Sequence, residues 1–422
     1  MREDFEREIE RLVKQQNNQD FFGGRKQSVI EIVDTILKFA AEVRATDLHI
    51  EPLDNFLRFR YRIDGHLSEL HSPLPKVLTD AIISRIKILA GMDTTAVFSP
   101  LDGAIHFEKI DMRVASMPSS GSETLTIRLM DSEKKFFGIE DLGFSENNEK
   151  IFRRMIRANQ GMIILTGPMN SGKSTTLYAA LRELNSPSRS IMTLEDPIEK
   201  RIDGISQIQV DEKNGLSFST GLRTMLRMDC NCLMVGEARD SETAKIAVRA
   251  ALTGHLLFTT LHSGESCSAV FRMLEMGVEP YLLAATLKGV IAQRLVRKLC
   301  PHCRELSDSD EFEKEILGAE KIYKPVGCPK CNGTGYLGRI ALHEILHIDK
   351  DLRELILKSR DIDEIRQTAL RNGLKNLLFD GMEKVHSGLT TLNELAIFSD
   401  ESFFAEMFSE KERDLFLRII LS

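Results

Sequence analysis

Residues 167–174 read GPMNSGKS, and no other stretch of the chain restricts its fold so tightly. Gly167, Gly172, Lys173 and Ser174 satisfy the phosphate-cradling pattern G-x-x-x-x-G-K-[ST]. The flanks agree. Met162-Ile163-Ile164-Leu165-Thr166 is an apolar run that predicts a buried strand, and Thr175 to Leu184 predicts a helix. A loop in that position turns backbone N–H groups toward phosphate oxygens at a helix N-terminus, where the dipole favours negative charge. Lys173 adds a positive charge at the β- and γ-phosphates, and Ser174 offers a hydroxyl to Mg²⁺. Gly167, Pro168, Asn170, Ser171, Gly172, Lys173, Ser174 and Thr175 are therefore the expected binding set for ATP.

A chain of 422 residues is too long for one ordinary core, so two or three domains are expected. The net charge of −7 argues against wholesale nucleic-acid binding and leaves room only for a local basic patch. No apolar run approaches the roughly 18 residues that span a bilayer. The N-terminal MREDFEREIERLVKQQ lacks the apolar core of a signal peptide. A cytoplasmic protein follows, with any membrane contact peripheral.

Four of the seven cysteines form two C-x-x-C pairs, Cys300/Cys303 and Cys328/Cys331. Each turn places two thiolates near one ion, and two turns complete a tetrahedron around Zn²⁺. A redox pair is the other reading of such spacing. Cys232 opens an apolar strand and reads as a small buried hydrophobe.

Along the chain, residues 1–17 and 29–43 carry helical periodicity, separated by a polar linker over Asn17 to Lys26. In Leu57-Arg58-Phe59-Arg60-Tyr61-Arg62-Ile63 the period changes to two, and Asp64-Gly65 supplies a hairpin turn. Short strands are expected near 104–116 and 123–130, giving an N-terminal α+β domain over 25–140. From 141 to 299 strands at 162–166, 190–194, 232–236 and 255–260 alternate with helices at 217–228, 241–252 and 264–276. That alternation predicts a largely parallel sheet covered by helices. A zinc module over 300–345 and a helical region over 346–422 complete the plan, with a last amphipathic helix over 400–422.

Three clusters follow the phosphate loop. Thr193-Leu194-Glu195-Asp196-Pro197-Ile198-Glu199 closes one strand, Leu233-Met234-Val235-Gly236-Glu237 is another, and a third runs between His255 and His262. Strand C-termini of a parallel sheet share one edge, where ligands bind. Glu195, Glu237 and His262 are thus expected beside Lys173, one carboxylate orienting water and another holding Mg²⁺.

These stretches, TGPMNSGKSTTLY, TLEDPIE, LRTMLRMD, MVGEARDSETAKIAVRAALTGH, TTLH and IAQRLVRKLCPHC, resemble the secretion ATPases, the motors of type II secretion, type IV pilus assembly and competence pseudopili. The resemblance reaches upstream to TDLHIEP (46–52) and RYRIDG (60–65) and downstream to GLTTL (388–392). The tetracysteine insert resembles assembly or secretion motors rather than retraction motors. The resemblance implies a RecA-like P-loop domain after a smaller PAS-like α+β domain, and a hexameric ring. It implies an aspartate box of Glu195 and Glu199, a Walker B strand ending in Glu237, and a histidine box of His255 and His262; water is then expected on Glu195 and Mg²⁺ shared by Ser174 and Glu237. It also implies that Arg113 and Arg128, otherwise plain strand residues, reach the nucleotide phosphates. Partners would be a polytopic inner-membrane platform protein and an accessory protein's cytoplasmic domain.

The chain departs from the family pattern at several places. Pro100-Leu101-Asp102-Gly103-Ala104 stands where the family writes P-Q-D-G-R, Asp229-Cys230-Asn231 where it writes D-P-D, and Ala238 lies within its G-E-I-R-D. After the zinc region, Ala341 or Leu342 replaces the usual second glycine. The large N-terminal domain of typical secretion motors has no counterpart, so docking to the platform is expected to differ or be simpler. Two other readings stay open. One is a DNA-translocating motor, supported by the basic run Arg294-Leu295-Val296-Arg297-Lys298. The other is a nucleotide-sensing adaptor with little turnover.

Overall fold

The computed structural model describes residues 2–18, 24–108, 110–120, 122–130, 137–358 and 361–398. The chain divides into two compact units. The first is Met1–Lys134 with Cys300–Arg304 and Pro325–Gly338; the second is Lys135–Leu299, Glu305–Lys324 and Arg339–Ser422.

The first unit opens with helices α1 (Arg2–Asn18) and α2 (Gly24–Glu42). Residues 24–26, expected in the linker, are helical, and residues 19–23 lie outside the described set. Strands β1 (Ala45–Pro52), β2 (Phe56–Ile63), β3 (His66–Ser68) and β4 (Leu74–Pro75) follow, then α3 (Thr79–Leu89), β5 (Leu101–Phe107), β6 (Ile110–Ser119) and β7 (Ser122–Met130). The sheet order is β3-β2-β1-β7-β6-β5, with β4 on β2, and every pairing is antiparallel. Alternation sends Leu48, Ile50, Leu57, Phe59, Tyr61, Val114, Leu125 and Ile127 into one core with the three helices. The other face carries charge, as an antiparallel sheet covered on one side permits. There Arg58 Nε and Arg60 Nε donate to Glu51 Oε2 at 2.9 and 2.8 Å. The N-terminal helix, expected as a separate piece, belongs to this core: Phe5 stacks on Phe39 at 3.8 Å.

The second unit runs α4 (Glu146–Ile156), β8 (Gly161–Thr166), α5 (Lys173–Leu184), β9 (Ile191–Glu195), β10 (Ser206–Gln209), α6 (Phe218–Met225), β11 (Cys232–Val235), α7 (Ser241–Leu252), β12 (Leu256–Leu261), α8 (Ser266–Glu275), α9 (Pro280–Thr286) and β13 (Leu287–Leu299). Next come β14 (Glu305–Asp308), α10 (Glu311–Leu317) and β15 (Lys321–Lys324). Then follow β16 (Tyr336–His347), whose first residues belong to the first unit, and helices α11 (Lys350–Lys358), α12 (Ile362–Arg371) and α13 (Leu377–His386). Strands order as β10-β9-β11-β12-β8-β13-β16, with β10 through β13 parallel. β8 is buried along its whole length, as a central parallel strand covered on both faces must be. Cys232, on β11, is buried as expected, and burial pushes its thiol up to about 12. The expected helix over 400–422 lies outside the described residues.

The tetracysteine region, expected as one module, divides. The two cysteine turns cluster with the first unit, while β14, α10 and β15 between them cluster with the second. One residue of the basic run is paired within the chain. Arg297 on β13 donates from its backbone N and Nε to Glu394 at 2.8 and 2.9 Å, so this guanidinium stabilises the chain's own C-terminal region.

A buried ion pair closes the first unit's core. Lys87 Nζ lies 2.9 and 3.0 Å from the two oxygens of Glu123, with Ser116 Oγ donating to the same carboxylate at 2.9 Å. Removing one partner strands a charge in the core, which costs about 3–5 kcal/mol. Lys87→Met should therefore lower unfolding free energy by about that much. Lys87→Met/Glu123→Leu should recover most of the loss, as read by urea denaturation. Equal destabilisation by the single and double variants would refute the pairing.

Candidate active site

The strand register builds the site. Thr166 on β8 pairs with Leu261 on β12 and Ala292 on β13, and Val235 on β11 pairs with Leu194 on β9 and Thr259. The C-termini of β8, β9, β11 and β12 therefore reach one edge, with Ala292 of β13 beside them, and from it the phosphate loop, Glu195, Glu237 and His262 emerge.

The loop is shaped by its glycines. Gly167 and Gly172 have φ of 147° and 89°, and a Cβ on either would lie 2.4 Å from Gln293 O or 2.6 Å from Gln293 Nε2. Only glycine tolerates both the backbone and the approach. Gln293, on β13, also accepts from Thr176 Oγ1 at 2.9 Å, so it braces both ends of the loop. Its segment IAQRL was visible in the sequence, but this brace was not. Ser171 Oγ is buried without a hydrogen-bond partner, an orphaned polar atom within a loop suited to a phosphate ligand.

Lys173 Nζ donates to Gly167 O at 2.7 Å and Pro168 O at 2.8 Å, folded onto its own loop. Burial brings its ammonium down to about 8; Glu237 and Glu199 pull it up and Arg294 pushes it further down. These are the charges that surround the phosphate position.

The expected carboxylates are already engaged within the chain. Glu195 is not presented toward the loop. It is buried and accepts from Tyr178 Oη, Thr193 Oγ1 and, at 3.0 Å, Gln207 Nε2. Burial and Glu195 push the Tyr178 phenol up, so it stays a donor. The same hydroxyl accepts from Glu199 N at 3.3 Å, and Ser174 Oγ donates to Glu199 Oε1 at 3.1 Å. The carboxylate that the Ser174 hydroxyl meets is thus Glu199. Glu237 is gripped by Arg239 Nε at 2.7 Å and His262 Nε2 at 3.0 Å. His255 falls at the opposite edge, where its neighbour Leu256 pairs with Gly161 and its Nδ1 lies 3.1 Å from Ala250 O. Asp240 caps α7, accepting from Thr243 N and Oγ1 at 2.8 and 2.7 Å. Arg113 and Arg128 face each other across β6 and β7 in the first unit.

The four cysteines Cys300, Cys303, Cys328 and Cys331 converge with all sulfurs within 4.8 Å of one another. The Cys300–Cys328, Cys303–Cys331 and Cys328–Cys331 separations are 3.9, 3.8 and 3.7 Å. A Zn–S bond of about 2.3 Å gives a tetrahedral edge of about 3.8 Å, so the donor set fits Zn²⁺. Backbone N–H groups of Cys328 and Gly335 donate to Cys331 Sγ at 3.2 Å, as a thiolate ligand requires.

The chain matches the family model described as "Type II/IV secretion system protein" over residues 24–397. It is a member of that family. It is 42% identical over 383 residues to the Type II secretion system ATPase E of Vibrio cholerae, covering 89% of this chain and 76% of that one. It is 41% identical over 377 residues to the Type IV pilus assembly ATPase PilB of Thermus thermophilus, covering 86% of this chain and 42% of that one. The fold is shared with the Legionella pneumophila ATPase DotB (TM-score 0.66, 22% identity, 92% and 95% of the two chains). It is shared too with the pilus retraction motor PilT bound to ADP (TM-score 0.60, 24% identity, 89% and 99%). The protein is an ATPase that energises secretion or pilus assembly. Family membership implies use of a nucleotide with Mg²⁺. Among the described residues no helix is long and apolar enough to cross a membrane.

Two outcomes follow from this geometry. With Lys173 near 8, the free protein has lost much of that proton by pH 9, and a bound triphosphate restores it. Titration calorimetry with a non-hydrolysable ATP analogue at pH 9 should show uptake of up to one proton, seen as heats that vary with buffer ionisation enthalpy. Affinity should fall by up to about tenfold per pH unit above pH 8. Buffer-independent heats at pH 9 would exclude the linkage. Separately, elemental analysis should find one zinc per chain, and chelation should first expose amides of 300–304 and 325–338. Protein purified under reducing conditions without zinc would contradict this.

Proposed function

We propose that this ATPase works as a homo-oligomeric ring, a hexamer, at the cytoplasmic face of the inner membrane. It drives pilin-like subunits through a polytopic platform protein and an accessory cytoplasmic domain, without nucleic acid. The supporting observation is the gathering of Lys173, the Ser174–Glu199 pair and the Glu237–His262 pair around one sheet edge.

In this reading the loop amides and Lys173 hold the β- and γ-phosphates, with Gly167, Pro168, Asn170, Ser171, Gly172 and Thr175 completing the cradle. Ser174, Glu199 and Glu237 would hold Mg²⁺, which when bound would neutralise charge on the transferring phosphoryl group. Glu237, its charge oriented by Arg239 and His262, positions the attacking water and takes its proton. Glu195 acts behind Tyr178, which fixes the backbone of Glu199. Arg113 and Arg128 add positive charge at the phosphates and couple turnover to movement of the first unit. Four thiolates around Zn²⁺ would shape the turns and take no part in hydrolysis.

Steady-state hydrolysis and nucleotide binding on single variants test these roles. Lys173→Ala should abolish hydrolysis and weaken ATP binding. Glu237→Gln should retain binding and lose about 10²–10⁴ in turnover, as expected for a general base. Glu195→Gln should bind ATP and lose less. If Glu195→Gln is the more damaging of the two, the water belongs to Glu195. Arg113→Ala or Arg128→Ala should each cut turnover at least about tenfold. Wild-type hydrolysis by the double arginine variant would remove both from the mechanism.

A further inference from the structure

Arg128 does not stand alone in the first unit. Across the sheet, Arg62, Asp47, Arg128 and Arg113 lie in one row, each opposite the next. Two arginines face to face repel, and an acid beside them offsets that cost. Asp47 is that acid. Its side chain is buried, while that of Arg128 is 65% exposed. Asp47 Oδ1 accepts from Arg128 Nε at 3.1 Å. The contact is made through Nε of a side chain that stays mostly exposed.

The other carboxylate oxygen leads elsewhere. Asp47 Oδ2 accepts from Thr46 Oγ1 at 2.9 Å and lies 3.9 Å from Arg62 Nε. Arg62 donates from a terminal nitrogen to Gly65 O at 3.0 Å, in the turn between β2 and β3. The preceding turn residue, Asp64, accepts at Oδ2 from Gly338 N at 2.9 Å. Gly338 closes the segment that carries the second cysteine turn. That segment is tied to the cysteines at Gly335, whose N donates to Cys331 Sγ at 3.2 Å and whose O accepts from Cys300 N at 2.9 Å. A continuous polar path therefore runs from the four cysteines to one arginine, wholly within the first unit.

We propose that Asp64, Arg62 and Asp47 are positioning residues that transmit the state of the tetracysteine turn to Arg128. Metal on the four thiolates fixes the turn and, through Gly338, the Asp64–Gly65 hairpin. The hairpin carbonyl orients Arg62, and Arg62 with Thr46 fixes the carboxylate that holds Arg128. A loosened turn leaves the backbone of each unit element intact but frees that carboxylate to rotate. The step from Arg128 to turnover rests on the reading of Arg128 given above; the tie itself does not.

The test uses the full chain. Asp64 has φ of 48°, so Asp64→Gly removes the carboxylate without adding strain, and Asp64→Asn keeps an acceptor oxygen. Asp64→Gly should retain zinc and lower kcat about fivefold with KM for ATP unchanged. Asp64→Asn should restore most of that loss. In an Arg128→Ala background, Asp64→Gly should have no further effect on kcat. Hydrogen exchange provides a readout independent of hydrolysis: zinc removal from the unmutated chain should speed exchange at Gly338 and in β1 and β7, and Asp64→Gly should reproduce this with zinc still bound. An Asp64→Gly effect of equal size in the Arg128→Ala background would mean it does not act through Arg128 and would overturn the proposal. Unchanged exchange in β1 and β7 on zinc removal would also overturn it. If Arg128→Ala alone leaves kcat unchanged while those exchange changes occur, the tie stands and the role of Arg128 in hydrolysis falls.

Discussion

The approach of Gln293 to two glycines holds the catalytic edge together. Backbone groups of the phosphate loop converge only because Gly167 and Gly172 adopt conformations closed to other residues, and both lie against Gln293 on the neighbouring strand. β13 is itself set by its parallel pairing with β8, which is buried on every residue. The loop is thus defined by the sheet's own register. The same register brings β9, β11 and β12 to the edge in step, so the carboxylates and His262 arrive without any long loop to place them.

The charges at this edge are arranged in pairs that share donors. Tyr178 reaches Glu195 on one side and the Glu199 backbone on the other, and α5 supplies both that tyrosine and Lys173. One helix therefore fixes Lys173 and the acid on Ser174 together. Glu237 is held instead from β12, by His262, and by its own neighbour Arg239. Of Glu199 and Glu237, Glu237 acts more strongly on the Lys173 ammonium. Glu195, buried and holding three donors, is a strut.

Much of this was legible in the residues, and the failures have physical causes. β8, β9, β11 and β12 are short, largely apolar runs, and each lies within a residue of where the sequence places it. β10, an edge strand reading SQIQ, has little apolar signal because its burial is partial. β13 was hidden by LVRKL: its late residues extend past the phosphate edge, where Arg297 meets Glu394. That Glu195 and Glu199 share one tyrosine from another element is something spacing along one strand does not reveal. The row of Arg62, Asp47, Arg128 and Arg113 depends on cross-strand register, which hydrophobic alternation fixes by face but not by partner.

That row explains a departure that looked arbitrary in sequence. Ala104 stands where the family pattern has an arginine, and it lies directly opposite Arg113, at the far end of the row from Arg62. With arginine there, three guanidinium groups would be adjacent, with Asp47 touching only one of them. Alanine leaves two, of which Arg128 is compensated by Asp47 and Arg113 faces a neutral neighbour. The local repulsion falls by one close pair, and the demand on Asp47 falls with it. A chain with fewer arginines in this row depends more on how each remaining one is held. The acid, the hairpin and the turn that hold Arg128 then matter as much as the arginine itself.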